Sequence, residues 1–187
     1  QGSRSNTLIG IFPIAGPKQV SNNMPVTGTN RCYNVSTVIN CPQQGEQFYG
    51  QDFMYSSNEF AFTNNADGTV SDKVTGLVWQ KENIDSYNWY QATGTFDPTH
   101  NNASINACNI SLAGRNDWRL PTRRELLTIV DYKYDMALLA GDSLVLAGNE
   151  YWAMEDEGDK ARYVDFGFGS VVLDEKTVNK ALRCVSG

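Results

Sequence analysis

The sequence predicts an α+β domain in which helices pack against a β-rich C-terminal end and disulfides close the fold. Three observations lead to this prediction. Short strand-like runs separated by glycines fill the last third of the chain, a capped amphipathic helix precedes them, and the cysteine count is even. The chain has 187 residues, 41% hydrophobic and 19% charged, a composition that suits one core.

The N-terminal segment is predicted to be an arm or linker. Residues 1–28 are rich in Gly, Pro, Asn and Ser and show no sustained hydrophobic periodicity. Their one apolar patch, residues 8–14, could add an edge strand or dock on a neighbouring subunit, and a frayed terminus is an equal alternative. The predicted domain therefore covers residues 29–187.

The first clear β signal is a hairpin. Residues 60–63 and 69–72 have strand character and flank a turn-forming stretch that ends in Asp67-Gly68. The carboxylates of Asp67 and Asp72 do not complete a known calcium-binding loop, so turn chemistry explains them better. Residues 74–80 follow as a predicted buried strand, with Trp79 in the core.

Helices are predicted at two places. The stretch from Trp89 to Cys108 has the character of one helix, but a polar, loop-like segment at residues 93–107 interrupts it. A clearer helix follows at Thr122, because Thr122 and Glu125 form a capping box and an apolar stripe that reaches Val130 lies behind it. The apolar stretch at residues 136–147 is compatible with a further helix.

The C-terminal third is predicted to be a small antiparallel sheet with glycine turns. Its strand-like runs are residues 150–153, 161–166, 171–173 and 181–185. Alternation within the second run places Val164 and Phe166 in the core. Tyr163 and Asp165 are then expected on the opposite, exposed face.

Four cysteines allow three disulfide connectivities. Cys32 and Cys41 enclose a short, polar, turn-forming stretch, so local pairing is easy. That pairing leaves Cys108 for Cys184. The longer bridge would stabilise the domain by about 4–5 kcal/mol, which favours an oxidising compartment outside the cytosol. A zinc site is not expected, since the chain has no C-x-x-C pair and one histidine, His100.

Charge and hydropathy argue against two classes of partner. The net charge is −6 at pH 7, the isoelectric point is about 4.7, and no Lys or Arg run is present. Nucleic acid is therefore not expected as a partner. Membrane insertion is not expected either, because no apolar stretch approaches the roughly 20 residues that cross a bilayer. We expect no cofactor and no metal.

Two strings of residues resemble a known family: DGTVSDKVTGLVWQK at 67–81 and GRNDWRLPTRREL at 114–126. Further matches are Tyr151-Trp152, residues 164–166 and residues 183–185. Together with the approach segment from residue 27, they resemble the Lcl C-terminal domain-like family, a family of bacterial and viral surface modules. The resemblance extends over residues 27 to 187.

The resemblance implies a C-type-lectin-like fold, in which two helices and a twisted sheet support an irregular ligand-facing surface. It also implies an adhesin-like, extracellular protein on a cell surface or virion. Some members are variable proteins of diversity-generating retroelements, with substitutions concentrated in the C-terminal part. The Glu-Pro-Asn and Trp-Asn-Asp motifs of calcium-dependent sugar-binding lectins are missing, so that activity is not expected.

The C-terminal segment departs from the family pattern at Ala153-Met154-Glu155 and at Gly167-Phe168-Gly169. An exposed Met and Phe beside carboxylates are typical of a binding face, although drift on a solvated loop is the simpler alternative. The predicted ligand face comprises Met154, Glu155, Asp156, Glu157, Tyr163, Asp165, Phe168, Ser170, Asp174 and Glu175. The predicted frame consists of Trp79, Trp118, Leu120, Trp152 and the Cys108 to Cys184 bridge.

Acidic side chains dominate this predicted face. Residues 150–175 hold eight carboxylates against two basic side chains, Lys160 and Arg162. Such a field would speed association with a basic partner and disfavour sulfated glycans or DNA. Protein and carbohydrate ligands both remain open.

Two other functional classes are compatible with such a fold: an enzyme and an assembly module. Formylglycine-generating enzymes share a C-type-lectin-like core, but their chemistry needs reactive cysteines, and the cysteines here are better explained as pairs. A carboxylate pair for glycoside hydrolysis lacks a defined cleft, so we expect no enzyme. The stronger alternative is an assembly module of a surface fibre, a homo-oligomer formed through residues 1–28.

Overall fold

The computed structural model describes residues 31–51, 54, 60–132, 138–139, 144 and 148–187. The predicted arm and most of the stretch at 136–147 lie outside these residues, so they remain predictions, as do the domain boundaries. The strands of the described part are β1 (Cys32–Tyr33), β2 (Val38–Ile39), β3 (Phe62–Asn64), β4 (Thr69–Asp72), β5 (Val78–Gln80), β6 (Ile84–Tyr87), β7 (Val130–Asp131), β8 (Leu138–Leu139), β9 (Glu150–Glu157), β10 (Lys160–Asp165), β11 (Ser170–Glu175), β12 (Lys180–Leu182) and β13 (Val185–Ser186). The helices are α1 (Trp89–Thr93) and α2 (Arg123–Leu127).

The largest sheet of the described residues has five strands in the order β11-β10-β9-β12-β6. β9, β10 and β11 form an antiparallel meander in which Tyr163 pairs with both Trp152 and Val172. β12 runs parallel to β9, with Ala181 opposite Tyr151. The predicted C-terminal strands are therefore present, but they do not form a purely antiparallel sheet.

A four-stranded sheet in the order β13-β5-β4-β3 contains the predicted hairpin. β3 and β4 pair with Phe62 opposite Asp72. At the turn between them, the Asp67 carboxylate accepts hydrogen bonds from the N–H and the hydroxyl of Thr69, at 3.0 and 2.6 Å. Turn chemistry thus accounts for this carboxylate.

Both helices begin with a reciprocal capping box, in which the cap and the third helical residue each bond the other's main-chain N–H. Asn88 and Gln91 form the box of α1. Thr122 and Glu125 form the box of α2, as the sequence predicts. Each helix nevertheless contains five residues.

The predicted fold class, an α+β, C-type-lectin-like domain with two helices packed on a small sheet, is wrong. α1 stops at Gly94, whose φ of 76° is left-handed, and the buried Asn101 amide then ties residues 95–105 into turns by donating to three main-chain carbonyls. α2 stops at Leu127, and Val130, a predicted helix residue, lies in β7. Strands therefore dominate the described part of the chain.

The five-stranded sheet is buried on both faces. Tyr151 and Val164 pack in one cluster, which includes Trp79 of the four-stranded sheet. Trp152 and Tyr163 pack in a second cluster on the other face. The predicted frame residues are all buried: Trp79, Trp118, Leu120 and Trp152.

Two disulfides join Cys32 to Cys41 and Cys108 to Cys184, which are the pairings that the spacing favours. The second bridge lies within the second cluster, and both of its cysteines are fully buried. It ties the loop after α1 to the last residues of the chain. Among the described helices, neither has the length or apolar character needed to cross a membrane.

Candidate functional site

The ten predicted ligand-face residues lie on β9, β10, β11 and the turn between β10 and β11. The exposed members are Met154, Asp156, Glu157, Phe168 and Glu175. The half-buried members are Glu155, Asp165, Ser170 and Asp174. Tyr163, the remaining one, is buried.

The prediction that Tyr163 is exposed is wrong. Its ring meets Trp152 edge-on, with centroids 6.0 Å apart, and 8% of the residue is accessible. Alternation correctly separates it from Val164, which lies on the other face of the sheet. A second hydrophobic cluster covers the face of the sheet that carries Tyr163. Tyr163 and Val164 are therefore both core residues, although they lie on opposite faces. Tyr163 therefore belongs to the frame.

Lys180, which the sequence does not single out, is the charged centre of this region. Its ammonium lies 2.7 Å from Glu150 Oε2 and 2.8 Å from Asp174 Oδ2. It also sits over the Tyr163 ring, 3.8 Å from the centroid, and 5.2 Å from that of Trp152. The lysine side chain is 2% exposed. A buried ammonium thus joins two carboxylates and two aromatic rings.

The electrostatics of this group follow from its contacts. Burial opposes the charge on Lys180, but its hydrogen bonds to Asp174 and Glu150 outweigh burial and raise the lysine pKa above its ordinary value. The hydrogen bond from Lys180 lowers the pKa of Asp174. Burial, reinforced by the charge of Glu150, raises the pKa of Tyr163. At neutral pH Lys180 and Asp174 are therefore both charged.

Most of the acidic run is neutralised within the protein. Besides Glu150 and Asp174, four further carboxylates of residues 150–175 lie within 4.0 Å of a basic nitrogen. These pairs are Asp156 with Lys176, Glu157 with Arg162, Glu175 with Lys160, and Glu155 with Arg123. The acidic field is consequently weaker than the composition of residues 150–175 suggests. Three of the basic partners, Lys176, Lys180 and Arg123, lie outside that segment.

Phe168 is the most solvent-exposed aromatic side chain among the described residues, at 83%. Its turn is held by hydrogen bonds on both sides: Gly167 N–H donates to Asp165 Oδ1 at 2.8 Å, and the Tyr132 hydroxyl donates to Gly169 O at 2.7 Å. The N–H of Phe166 also donates to Asn149 O at 2.6 Å. The turn is fixed by the fold, while its aromatic ring faces water.

Asn149 also lines an open groove with a volume of about 370 Å³. The groove lies where the residues around β6, the start of β9 and the start of β12 converge. Its polar lining comprises Asn83, Ser86, Asn149, Glu150, Asn179 and Lys180. Sequence reasoning missed all six, because they come from three segments that are distant in the chain.

The described residues contain no group of three or more His, Cys, Asp or Glu side chains arranged for a metal ion. His100 bonds Asp97 at 2.9 Å and stacks on Tyr90, contacts that hold the loop after α1. All four cysteines are paired in disulfides. The polar groups that face solvent on the meander and in the groove are suited to non-covalent binding.

The chain is a disulfide-bonded, β-rich domain with a fixed, solvent-facing aromatic turn. The sequence profile of the Lcl C-terminal domain matches residues 68–186, from the start of β4 to the end of β13. Because the match covers more than half of the 187 residues, the chain belongs to the Lcl C-terminal domain family. A search of curated proteins finds no significant match.

Proposed function

We propose that this protein is an extracellular, surface-displayed binding module whose ligand face is centred on the turn between β10 and β11. Membership of the Lcl C-terminal domain family supports a surface role. The two disulfides support an oxidising, extracellular location on a cell or virion. Catalysis forms no part of the proposal, since each cysteine serves as a covalent staple.

The exposed ring of Phe168 is the observation that carries the proposal. A phenylalanine that is 83% accessible contributes little to the core, and the hydrogen bonds of its turn do not involve its side chain. Rigid, exposed aromatic side chains are the usual anchors of binding interfaces, because they bury a large area with little loss of conformational entropy. The ring is therefore better explained by binding than by folding.

The surroundings of Phe168 suit a binding face. Asp165 pairs with Ser170 across the base of the turn, which places two half-buried polar residues where the turn begins and ends. Val172 is 36% exposed on the next stretch of β11. A central aromatic anchor with a polar surround resembles the layout of protein interfaces.

The test compares Phe168→Ala with Phe96→Ala. Phe96 is 65% exposed on the loop after α1, so the control removes the same type of side chain at another exposed position. Binding is first detected on panels of purified surface-protein ectodomains and glycans and then measured by biolayer interferometry. We expect Phe168→Ala to weaken binding by about tenfold or more. Both variants should unfold within about 0.5 kcal/mol of the parent.

Unchanged binding by Phe168→Ala, or an equal loss in Phe96→Ala, would contradict this placement of the ligand face. A large loss of stability in Phe168→Ala would mean that the ring supports the fold instead. The Phe96 variant also controls for nonspecific adhesion of exposed aromatic rings.

A finer form of the proposal is that a retroelement diversifies this face. The meander is held by side chains beneath it, such as Lys180, so its exposed residues can vary without loss of the frame. The source locus should then carry a near-copy of the segment encoding residues 150–187 beside a reverse transcriptase, with mismatches concentrated at adenines. A locus without that copy would leave a binding protein of fixed specificity.

A further inference from the structure

We propose that the groove beside Asn149 binds a neutral saccharide, a proposal that rests on the binding function above and names its ligand class. The groove volume of about 370 Å³ lies within the range typical of small-ligand sites. Its non-polar lining is small, consisting of Ile84, Gly148 and Ala181. Recognition in this groove must therefore come mainly from its polar groups.

Three asparagines give the groove its chemistry. Within the described part of the chain, no hydrogen bond involves the side-chain amide of Asn83, Asn149 or Asn179. Each amide offers two donors and an acceptor, which matches sugar hydroxyls that both donate and accept. The Ser86 hydroxyl adds a further group of the same kind.

Glu150 adds an acceptor whose position is fixed. One of its carboxylate oxygens accepts from Lys180 at 2.7 Å, and the side chain is 45% exposed. The other oxygen is available to a hydroxyl donor, and a hydrogen bond to an ionised acceptor is stronger than one between neutral groups. The lysine thus holds the carboxylate in place at the wall of the groove.

The charge of the groove favours a neutral ligand over an anionic one. Lys180 is its one cation, and that ammonium is already shared between Glu150 and Asp174. A sulfate or phosphate group would meet the Glu150 carboxylate without a free cation to offset it. A peptide is less favoured, because Ile84, Gly148 and Ala181 offer little apolar surface to a side chain.

Asn149 connects the groove to the exposed aromatic ring. Its carbonyl accepts from Phe166 N–H at 2.6 Å, and its side-chain nitrogen would lie 3.3 Å from a Cβ placed on Gly167. A saccharide longer than one ring could therefore leave the groove across the turn that carries Phe168. Aromatic rings bind the apolar faces of sugars, so one chain could use both features.

The experiment titrates the full chain with lactose, maltotriose and di-N-acetylchitobiose at millimolar concentration, followed by calorimetry and NMR. A heparin-derived disaccharide and a short basic peptide serve as comparators. The key variant is Asn179→Ala, in an exposed residue of the groove, and its matched control is Asn102→Ala, exposed on the loop after α1. We expect a neutral sugar to bind, and Asn179→Ala to weaken that binding about three- to tenfold.

Three results would overturn the inference: no binding of any neutral sugar, tighter binding of the heparin disaccharide or the peptide, or equal losses in the two asparagine variants. The proposed function fails separately. If Phe168→Ala weakens binding to a surface ligand while neutral sugars do not bind, the binding face stands and the saccharide proposal falls. If Phe168→Ala changes nothing, the face is wrong whatever the groove binds.

Discussion

Lys180 links four strands of the large sheet through one side chain. It lies on β12, pairs with Glu150 on β9 and Asp174 on β11, and sits over the ring of Tyr163 on β10. A buried ammonium is costly unless its protons are satisfied, and here two carboxylates and an aromatic face satisfy them. The residue therefore joins the strands that carry the proposed ligand face.

Replacing this ammonium should destabilise the domain. Lys180→Met keeps the length of the side chain but leaves Glu150 and Asp174 without their partner. We expect a loss of about 1–3 kcal/mol in the free energy of unfolding, since both carboxylates remain partly solvated. The control is Lys160→Met, which breaks an ion pair whose two side chains are 52% and 53% exposed and should cost less than about 1 kcal/mol.

The effect of Lys180→Met should also depend on pH. Because the folded pKa of Asp174 is lowered, its contribution is present above the ordinary value of about 3.9 and is lost as pH falls through the folded value. Because the pKa of Lys180 is raised, its contribution is present below about 10.4 and is lost at higher pH. Urea unfolding should therefore show a constant difference between parent and variant from about pH 5 to 9 that narrows below about pH 4. A constant difference down to pH 2 would contradict this account.

At the scale of elements, α2 shows how local sequence signals and tertiary contacts combine. Glu125 accepts from Thr122 N–H at 2.7 Å and pairs with Arg119 at 2.7 and 2.9 Å. Burial opposes the charge on Glu125, but these hydrogen bonds outweigh it and lower the pKa. The sequence predicts the capping box of Thr122 and Glu125. It does not predict that Arg119 pairs with Glu125.

Removing the cap should cost stability. In Thr122→Ala, the N–H of Glu125 loses its acceptor, so we expect a loss of about 1 kcal/mol in the free energy of unfolding. Thr99→Ala, in an exposed residue of the loop after α1, should stay within about 0.5 kcal/mol of the parent. Chemical denaturation measures both, and equal stabilities would show that the cap is dispensable.

At the scale of the whole molecule, the two disulfides differ mainly in the loops they close. Cys32 and Cys41 are 9 positions apart, whereas Cys108 and Cys184 are 76 apart. A bridge that closes a longer loop restricts the unfolded chain more. The long bridge also lies inside the second cluster, so its loss disturbs packing as well.

The two bridges should therefore contribute unequally to stability. Replacing Cys108 and Cys184 with alanine should lower the free energy of unfolding by about 4–5 kcal/mol, against about 2–3 kcal/mol for the same change at Cys32 and Cys41. Urea denaturation of the two double variants, with the parent under identical non-reducing conditions, gives both values. Equal losses would mean that loop length does not govern their effect.

The sequence by itself determined the features that depend on near neighbours: the hairpin around Asp67, the cap at Thr122, the C-terminal strands and the disulfide pairing that the spacing favours. It also pointed to Phe168, because Gly167-Phe168-Gly169 departs from the family pattern. Family membership likewise follows from the order of local strings. These features require little knowledge of what lies across the domain.

The tertiary structure alone decided which faces are covered and which charges meet. Alternation separated Tyr163 from Val164, but only the second cluster shows that both are buried. The first predicted helix was shortened by Gly94 and Asn101, whose roles depend on the folded loop. The ion pairs of Lys180 and the groove at Asn149 bring together residues from segments that are far apart in the chain. The hydrophobic pattern can be read along the sequence, whereas burial depends on the assembled fold.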